Sequence, residues 1–193
     1  MNMRIAVSGS HSTGKSTLIA AFLDKCPEYR HEPEAFETLG DDVELTEAGE
    51  PTPEGLQALL EYTAAGVRGH APGSCVVFER SPVDYLAYAA ASRTSRWRSQ
   101  INDFLSVHVP VVRAALEHLD LIAYVPVSAT GPVRARPGEN ARFRSRVDER
   151  LRRALLDDAY DLFGDRGAPR VVALPPDPER QLAELIQRAG VDR

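Results

Sequence analysis

The chain has 193 residues, 43% of them apolar and 26% charged, which is enough for one α/β domain with a real core. Its net charge of −5 argues against general attraction to nucleic acid, and no apolar run reaches the roughly 18 residues needed to cross a membrane. The apolar run after Arg4 breaks at Gly9 instead of building a leader segment. Cys26 and Cys75 lack metal-ligand spacing and read as buried free thiols, so a cytoplasmic protein is expected.

In chain order, Arg4–Ser8 (RIAVS) reads as a buried strand, followed by a loop of small residues and a helix over Lys15–Asp24. Tyr29–Glu32 (YRHE) forms a short second strand. The acidic stretch from Glu34 to Pro53 predicts one helical turn and a loop, and Leu56, Leu59, Leu60, Thr63 and Val67 give Glu54–Val67 a helical period. Cys75–Glu79 (CVVFE) is a continuous apolar strand, and Ser81-Pro82 opens a helix that runs to Ser92. A long helix is expected over Trp97–Leu119 with a kink at Pro110. Leu121–Val125 is a strand, Val147–Phe163 a helix stopped by Gly164, Arg170–Leu174 the last strand and Glu179–Ala189 the last helix. Apolar strands alternating with helices imply a parallel sheet covered on both faces, with ligands at the carboxyl ends of the strands.

Gly9-Ser10-His11-Ser12-Thr13-Gly14-Lys15-Ser16 fits G-x-x-x-x-G-K-[ST] in full, and Thr17 continues it into the helix. The two glycines permit backbone angles and close approach that a side chain would block. The loop's N–H groups and the positive end of the helix then converge on one oxyanion. Lys15 is a mobile, solvent-facing cation for the β- and γ-phosphates, and the Ser16 hydroxyl is a hard ligand for Mg²⁺. The chain has 21 arginines and two lysines, yet this position is lysine, where a compact ammonium suits better than a planar fork. His11 reads as a loop residue facing solvent, and His70, His108 and His118 carry no pattern.

Three further groups bear on where the phosphate goes. Glu79 ends an apolar strand, where a carboxylate can hold Mg²⁺, and Arg80 beside it can reach a phosphate or clamp a substrate. Glu32, kept extended by Pro33, is the first candidate for a base that takes an acceptor's hydroxyl proton, and Glu34 is the alternative. It lies in a stretch, His31 to Val67, with no Lys or Arg and ten acidic residues. From Arg134 to Arg153 there are eight arginines. At least one of Arg142, Arg144 and Arg146, which follow Pro137-Gly138, is expected to close on the transferring phosphate, the plainer alternative being a solvated helix face with i,i+4 partners such as Arg144–Asp148; Arg150, Arg152 and Arg153 read as that face.

The phosphate loop, Glu-Pro at 32–33, Glu-Arg-Ser at 79–81 and the arginine-rich lid, in that order, resemble the deoxyribonucleoside kinase and nucleoside monophosphate kinase group of P-loop proteins. The pieces GSHSTGKST and ERSPVDYLAYA also look like the small ATP-binding proteins grouped with nicotinamide riboside kinases. The resemblance implies a three-layer α/β P-loop fold with a central parallel sheet of about five strands, helices on both faces and an Arg-rich lid over residues 126–146, all within one domain spanning 1–193. It implies ATP and Mg²⁺ as cofactors. It makes Glu32 the base, sets Glu79 and Arg80 at magnesium and phosphate or substrate, and has the lid arginines clamp ATP. The partner expected is a small-molecule phosphoryl acceptor, with no membrane and no nucleic acid, and a homodimer is compatible. The group's nucleobase-gripping aromatic and glutamine set has no clear counterpart; Phe36, Tyr62, Tyr85 and Tyr88 are the available substitutes. The rival readings are an ATP-binding regulatory protein and an ATPase without an acceptor. A GTPase would need N-K-x-D, and Asn2, Asn102 and Asn140 are not in that setting.

Overall fold

The computed structural model describes residues 2–45, 51–93, 95–127, 140–164 and 169–190. Five strands, β1 (Arg4–Ser8), β2 (Arg30–Glu32), β3 (Val76–Glu79), β4 (Leu121–Tyr124) and β5 (Arg170–Ala173), form one sheet in the order β2-β3-β1-β4-β5. Every pairing is parallel. The helices are α1 (Lys15–Lys25), α2 (Ala35–Leu39), α3 (Pro53–Gly69), α4 (Pro82–Ala91), α5 (Ser95–Leu116), α6 (Ala141–Leu156) and α7 (Pro178–Arg188), with a 3₁₀ turn at Gly40–Asp42.

The two-residue period of the strands sorts their side chains between two cores. Ile5, Val7, Val77, Leu121 and Ala123 face Leu18, Ile19 and Phe22 of α1 and Leu185 of α7. Ala6, Val76, Phe78, Ile122 and Tyr124 face the other layer, where α3, α4, α5 and α6 contribute Leu60, Leu86, Leu116 and Val147. The three central strands are buried throughout, whereas β2 and β5 carry exposed residues, as edges do. This is the three-layer parallel architecture expected from the alternation of apolar strands and helices.

At the amino end of the sheet, the buried Arg4 donates from Nη2 to Asp120 Oδ1 (2.9 Å) and from its backbone N to Asp120 Oδ2 (2.7 Å). The pair ties the start of β1 to the entry of β4, at the opposite end of the sheet from the phosphate loop. Burial works against the Asp120 charge, but the bonds from Arg4 hold its carboxyl below the ordinary range.

Most element boundaries fall where the sequence puts them. The largest difference is α6, expected over Val147–Phe163 and observed over Ala141–Leu156. Asn140 Oδ1 accepts from the N–H of Phe143 (3.0 Å), which caps the helix early and puts Phe143, Val147 and Leu151 on one buried stripe. At the other end, Asp158 has φ +47° and its carboxylate accepts from Leu162 N (2.6 Å), which turns the chain out of the helix well before Gly164. Helix α5 runs from Ser95 through Pro110 to Leu116. Cys26 is buried, Cys75 is half-buried rather than buried, and neither is in a disulfide. Among the described residues no helix is long and apolar enough to cross a membrane.

Candidate active site

The loop after β1 has the form a phosphate requires. Ser12 (φ +52°) and Gly14 (φ +91°) both take left-handed backbone, and α1 begins at Lys15 directly behind them. Alternation of this kind turns successive N–H groups inward as an anion nest. Gly9 is required by close approach: a Cβ there would lie 2.7 Å from the Val125 carbonyl oxygen, at the end of the neighbouring β4. The Ser10 hydroxyl is buried and has no hydrogen-bond partner, so the loop retains an unanswered polar group of its own.

Lys15 is not solvent-facing, as the sequence suggests, but 4% exposed, with Nζ donating to the Ser10 carbonyl oxygen (2.9 Å). Burial, and then the positive charge of Arg80, lower its pKa from 10.5 to about 8. A bound polyphosphate favours the charged ammonium and raises that pKa again. Nucleotide binding above pH 8 therefore takes up a proton, and affinity falls as pH rises through the pKa of the empty protein. Calorimetric titrations at pH 8.5 in buffers of different ionisation enthalpy should show this uptake; a buffer-independent enthalpy would contradict it.

A second shell of bonds fixes the loop's first residue. Asp84, fully buried in the first turn of α4, accepts from Gly9 N (3.0 Å) through Oδ1 and from Ser81 N (3.0 Å) through Oδ2. Ser8 Oγ donates to Ser81 Oγ (2.8 Å), which donates to Asp84 Oδ2 (3.0 Å). Asp84 thus closes a capping box on α4 and holds the phosphate loop with its other oxygen. The sequence reading missed this residue, although its Ser-Pro-x-Asp spacing carries the capping signal.

Arg80 stands in left-handed backbone, φ +77°, a conformation costing about 1–2 kcal/mol for a residue with a Cβ. Its side chain is 4% exposed, donates from Nη1 to the Gly9 carbonyl oxygen (2.8 Å) and from Nε to Glu34, and lies over the Tyr88 ring (5.1 Å). The twist at residue 80 turns the guanidinium under the loop, away from the neighbouring Glu79.

This arrangement separates the two glutamates. Glu32 ends the edge strand β2 and pairs with His70 Nε2 (3.3 Å), so His70 has a partner that the sequence does not reveal. Glu34, two residues on, pairs with Arg80, and its electrostatic neighbours are Lys15 and His11 of the loop. Burial opposes its charge, but Arg80 and then Lys15 outweigh it and keep the carboxyl below the ordinary range. Of these two glutamates it is Glu34, the alternative in the sequence reading, whose charge acts on Lys15 and His11 of the phosphate loop.

Glu79 and Ser16 meet: Ser16 Oγ donates to Glu79 Oε1 (2.7 Å), and Glu79 is 5% exposed. His31 Nε2 approaches the other carboxylate oxygen at 3.7 Å. Among the described residues no cluster of three His, Cys, Asp or Glu could cage a metal. One hydroxyl and one carboxylate side by side fit Mg²⁺ of the kind that draws its remaining ligands from water and substrate phosphates.

Of the lid arginines, Arg144 reaches the loop, with a long contact from Nη1 to the Ser12 carbonyl oxygen (3.4 Å) and a buried Nε that has no partner. Arg142 is exposed. Arg146 points elsewhere, to the Ala91 carbonyl oxygen (3.0 Å) and the face of Phe143. Asp148 does not pair with Arg144. It accepts from Tyr124 Oη (2.7 Å) and Val127 N (3.0 Å), fastening α6 to the end of β4. Arg134, Arg136, Pro137 and Gly138 lie outside the described residues. His11 is not free in solvent: its backbone N and its ring contact Tyr88 Oη (3.1 Å each), and its ring stacks on Phe143.

Beside the loop opens a cavity of about 340 Å³. Ser12, Gly14 and Thr17 form its polar mouth, next to Arg144, and Leu18, Ala21, Pro126, Pro178 and Leu182 are among its apolar walls. A phosphate nest that opens into an apolar slot suits a nucleotide.

The fold and this site define the class of P-loop proteins with the architecture of nucleoside and nucleotide kinases. A model of the AAA domain family matches residues 4–170, and the chain belongs to that family. The fold is similar to that of a deoxyadenosine kinase from M. mycoides solved with products dCMP and a flexible dCDP bound. The TM-score is 0.68 at 14% identity, covering 98% of this chain and 100% of that one. It is also similar to thymidylate kinase from Candida albicans, with a TM-score of 0.61 at 13% identity, covering 96% of this chain and 91% of that one. No curated protein matches the sequence.

Proposed function

We propose that this chain is an ATP-dependent phosphotransferase that moves the γ-phosphoryl group to a small-molecule acceptor of the nucleoside or nucleotide class. One observation carries the reading: an ionised carboxylate, Glu34, is held by Arg80 beside Lys15 at the phosphate loop. A protein that only bound nucleotide would need this charge solely to neutralise the buried Arg80. A transferase needs such a group to orient an acceptor hydroxyl and take its proton.

Each remaining residue has a role in that reaction. The loop over Gly9–Thr17 cradles the donor's phosphates, with Lys15 neutralising charge that shifts toward the leaving oxygen. The apolar slot walled by Leu18, Ala21 and Leu182 takes the donor's base. Arg144 brings an unpaired guanidinium N–H to the loop, where equatorial phosphoryl oxygens gain charge in transit. Ser16 and Glu79 would hold Mg²⁺, which supplies charge neutralisation between adjacent phosphates. Arg80 fixes both Gly9 and Glu34, so it positions loop and base relative to each other.

The test is a screen of nucleosides, nucleoside monophosphates and nicotinamide riboside for ADP release, with the phosphorylated product identified by mass spectrometry. One acceptor class should give product, and Arg144→Ala should lower its turnover more than ATP affinity, by roughly a hundredfold for one charge-assisted contact made in transit. Absence of any phosphorylated product across the screen would leave the rival reading, ATP binding or hydrolysis without an acceptor.

A further inference from the structure

The arginines beyond the lid do not behave as one solvated face. Arg152 donates to Glu149 (3.3 Å) and to Asp157 (3.0 Å). Arg93, Arg150 and Arg153 have no carboxylate within 4.0 Å among the described residues. These three and Arg146 line a second cleft, of about 460 Å³, between the carboxyl end of α4 and α6. Glu149 also borders the cleft, but Arg152 answers its charge.

Four arginines therefore line one cavity in a protein whose net charge is −5. Arg146, Arg150 and Arg153 recur at helical spacing on α6, so the like charges sit on one face and repel. The carbonyl end of α4, which would disfavour an anion, is capped from within: Arg146 Nε donates to the Ala91 carbonyl oxygen. Ser92, which also lines the cleft, has a buried hydroxyl with no hydrogen-bond partner. Arginines without a carboxylate partner match the donor set that binds phosphoryl oxygens. Among the described residues that line the cleft none is aromatic, so none offers a face to a base.

We propose that this cleft is a second anion site, distinct from the phosphate loop, that takes two or three adjacent phosphoryl groups. The ligand is either a free inorganic polyphosphate or the phosphate tail of a nucleotide whose base stays outside. The site does not rest on the transferase reading, because none of its arginines is placed at the phosphate loop.

The experiment is calorimetric titration of inorganic pyrophosphate, and separately of ATP, into the full chain carrying Lys15→Met, which removes the cation of the phosphate loop. A thermal melt accompanies each titration. Pyrophosphate should still bind and raise the melting temperature. Adding Arg150→Glu and Arg153→Glu should weaken that binding by about tenfold or more. Both residues are solvent-exposed, so the double change leaves the core untouched, and a native circular dichroism spectrum checks this. ATP binding to the Lys15→Met protein that is lost on adding the two arginine changes would assign the site to a nucleotide tail, and pyrophosphate binding sensitive to those changes without such ATP binding to a free polyphosphate. The proposal is overturned if Lys15→Met alone abolishes pyrophosphate binding, or if the two arginine changes leave it unaltered.

Discussion

Lys15→Met should abolish phosphoryl transfer, lowering turnover by at least about a thousandfold, while the protein stays folded. The expectation follows from where the ammonium lies and what it costs there. It is buried against the loop, with its charge partly suppressed, and it donates to the Ser10 carbonyl oxygen. Burying a cation is unfavourable, so exchanging it for a thioether of similar length removes a desolvation cost while giving up that bond. The two effects on stability oppose each other, and the melting temperature should move little. For the reaction they do not cancel, because a donor aimed at the leaving phosphate oxygen strengthens as charge moves onto it. Nucleotide affinity should fall less than turnover. Calorimetry and single-turnover assays on the same preparation check both halves, and turnover within tenfold of the parent would remove Lys15 from the reaction.

Glu34→Gln should lower transfer to a hydroxyl acceptor by about a hundredfold to ten-thousandfold, the usual range for a lost general base. ATP affinity should hold or rise slightly, because a negative charge next to the phosphate loop is gone. Arg80 stays in place through Gly9 and Asp84, so the loop keeps its shape. Glu32→Gln is the matched control. That residue pairs with His70, and its loss should leave turnover nearly unchanged. The pH profile adds an independent readout. Because Arg80 and Lys15 hold the Glu34 carboxyl below the ordinary range, it stays ionised as pH falls through 4.5, and its protonation sets an acid limb only below that. A Glu34→Gln enzyme with parental turnover, or a larger loss in Glu32→Gln, would return the role to the residue at the strand end. An acceptor whose attacking group is already a phosphate would also show little dependence on Glu34, and the product identified in the screen separates that case.

The contrast between these two glutamates marks the limit of the sequence. The phosphate loop is legible because its signal is local: the residues of the motif, Gly9 to Ser16, are contiguous in the sequence. The order of strands and helices is legible because apolar runs and turn residues encode it directly. Choosing between Glu32 and Glu34 requires knowing that Arg80 takes left-handed backbone and swings beneath the loop, a fact set by a contact across 46 positions. Asp84 was visible as part of a helix start but not as the anchor of Gly9, since that bond spans 75 positions. Helix α6 was misplaced because its arginines obscure a regular stripe. Asn140, Phe143, Val147 and Leu151 carry the cap and the spacing once the charged residues are set aside.

The strand order has a consequence for how the chain is made. The central strand β1 is synthesised early, yet its partner β3 follows after about seventy residues and β4 after about one hundred and fifteen. The phosphate loop leans on both: Arg80 and Asp84 come from the segment after β3, and the backbone of Val125 closes against Gly9 after β4. A nascent chain that has emerged only to α3 holds the whole motif in its sequence and lacks the surface that shapes it. Nucleotide cannot assist the early stages of folding as a template, and its stabilisation arrives only once the sheet has closed on both sides of β1. Ribosome-bound intermediates of this protein therefore fold without help from the ligand that the finished molecule is built to hold.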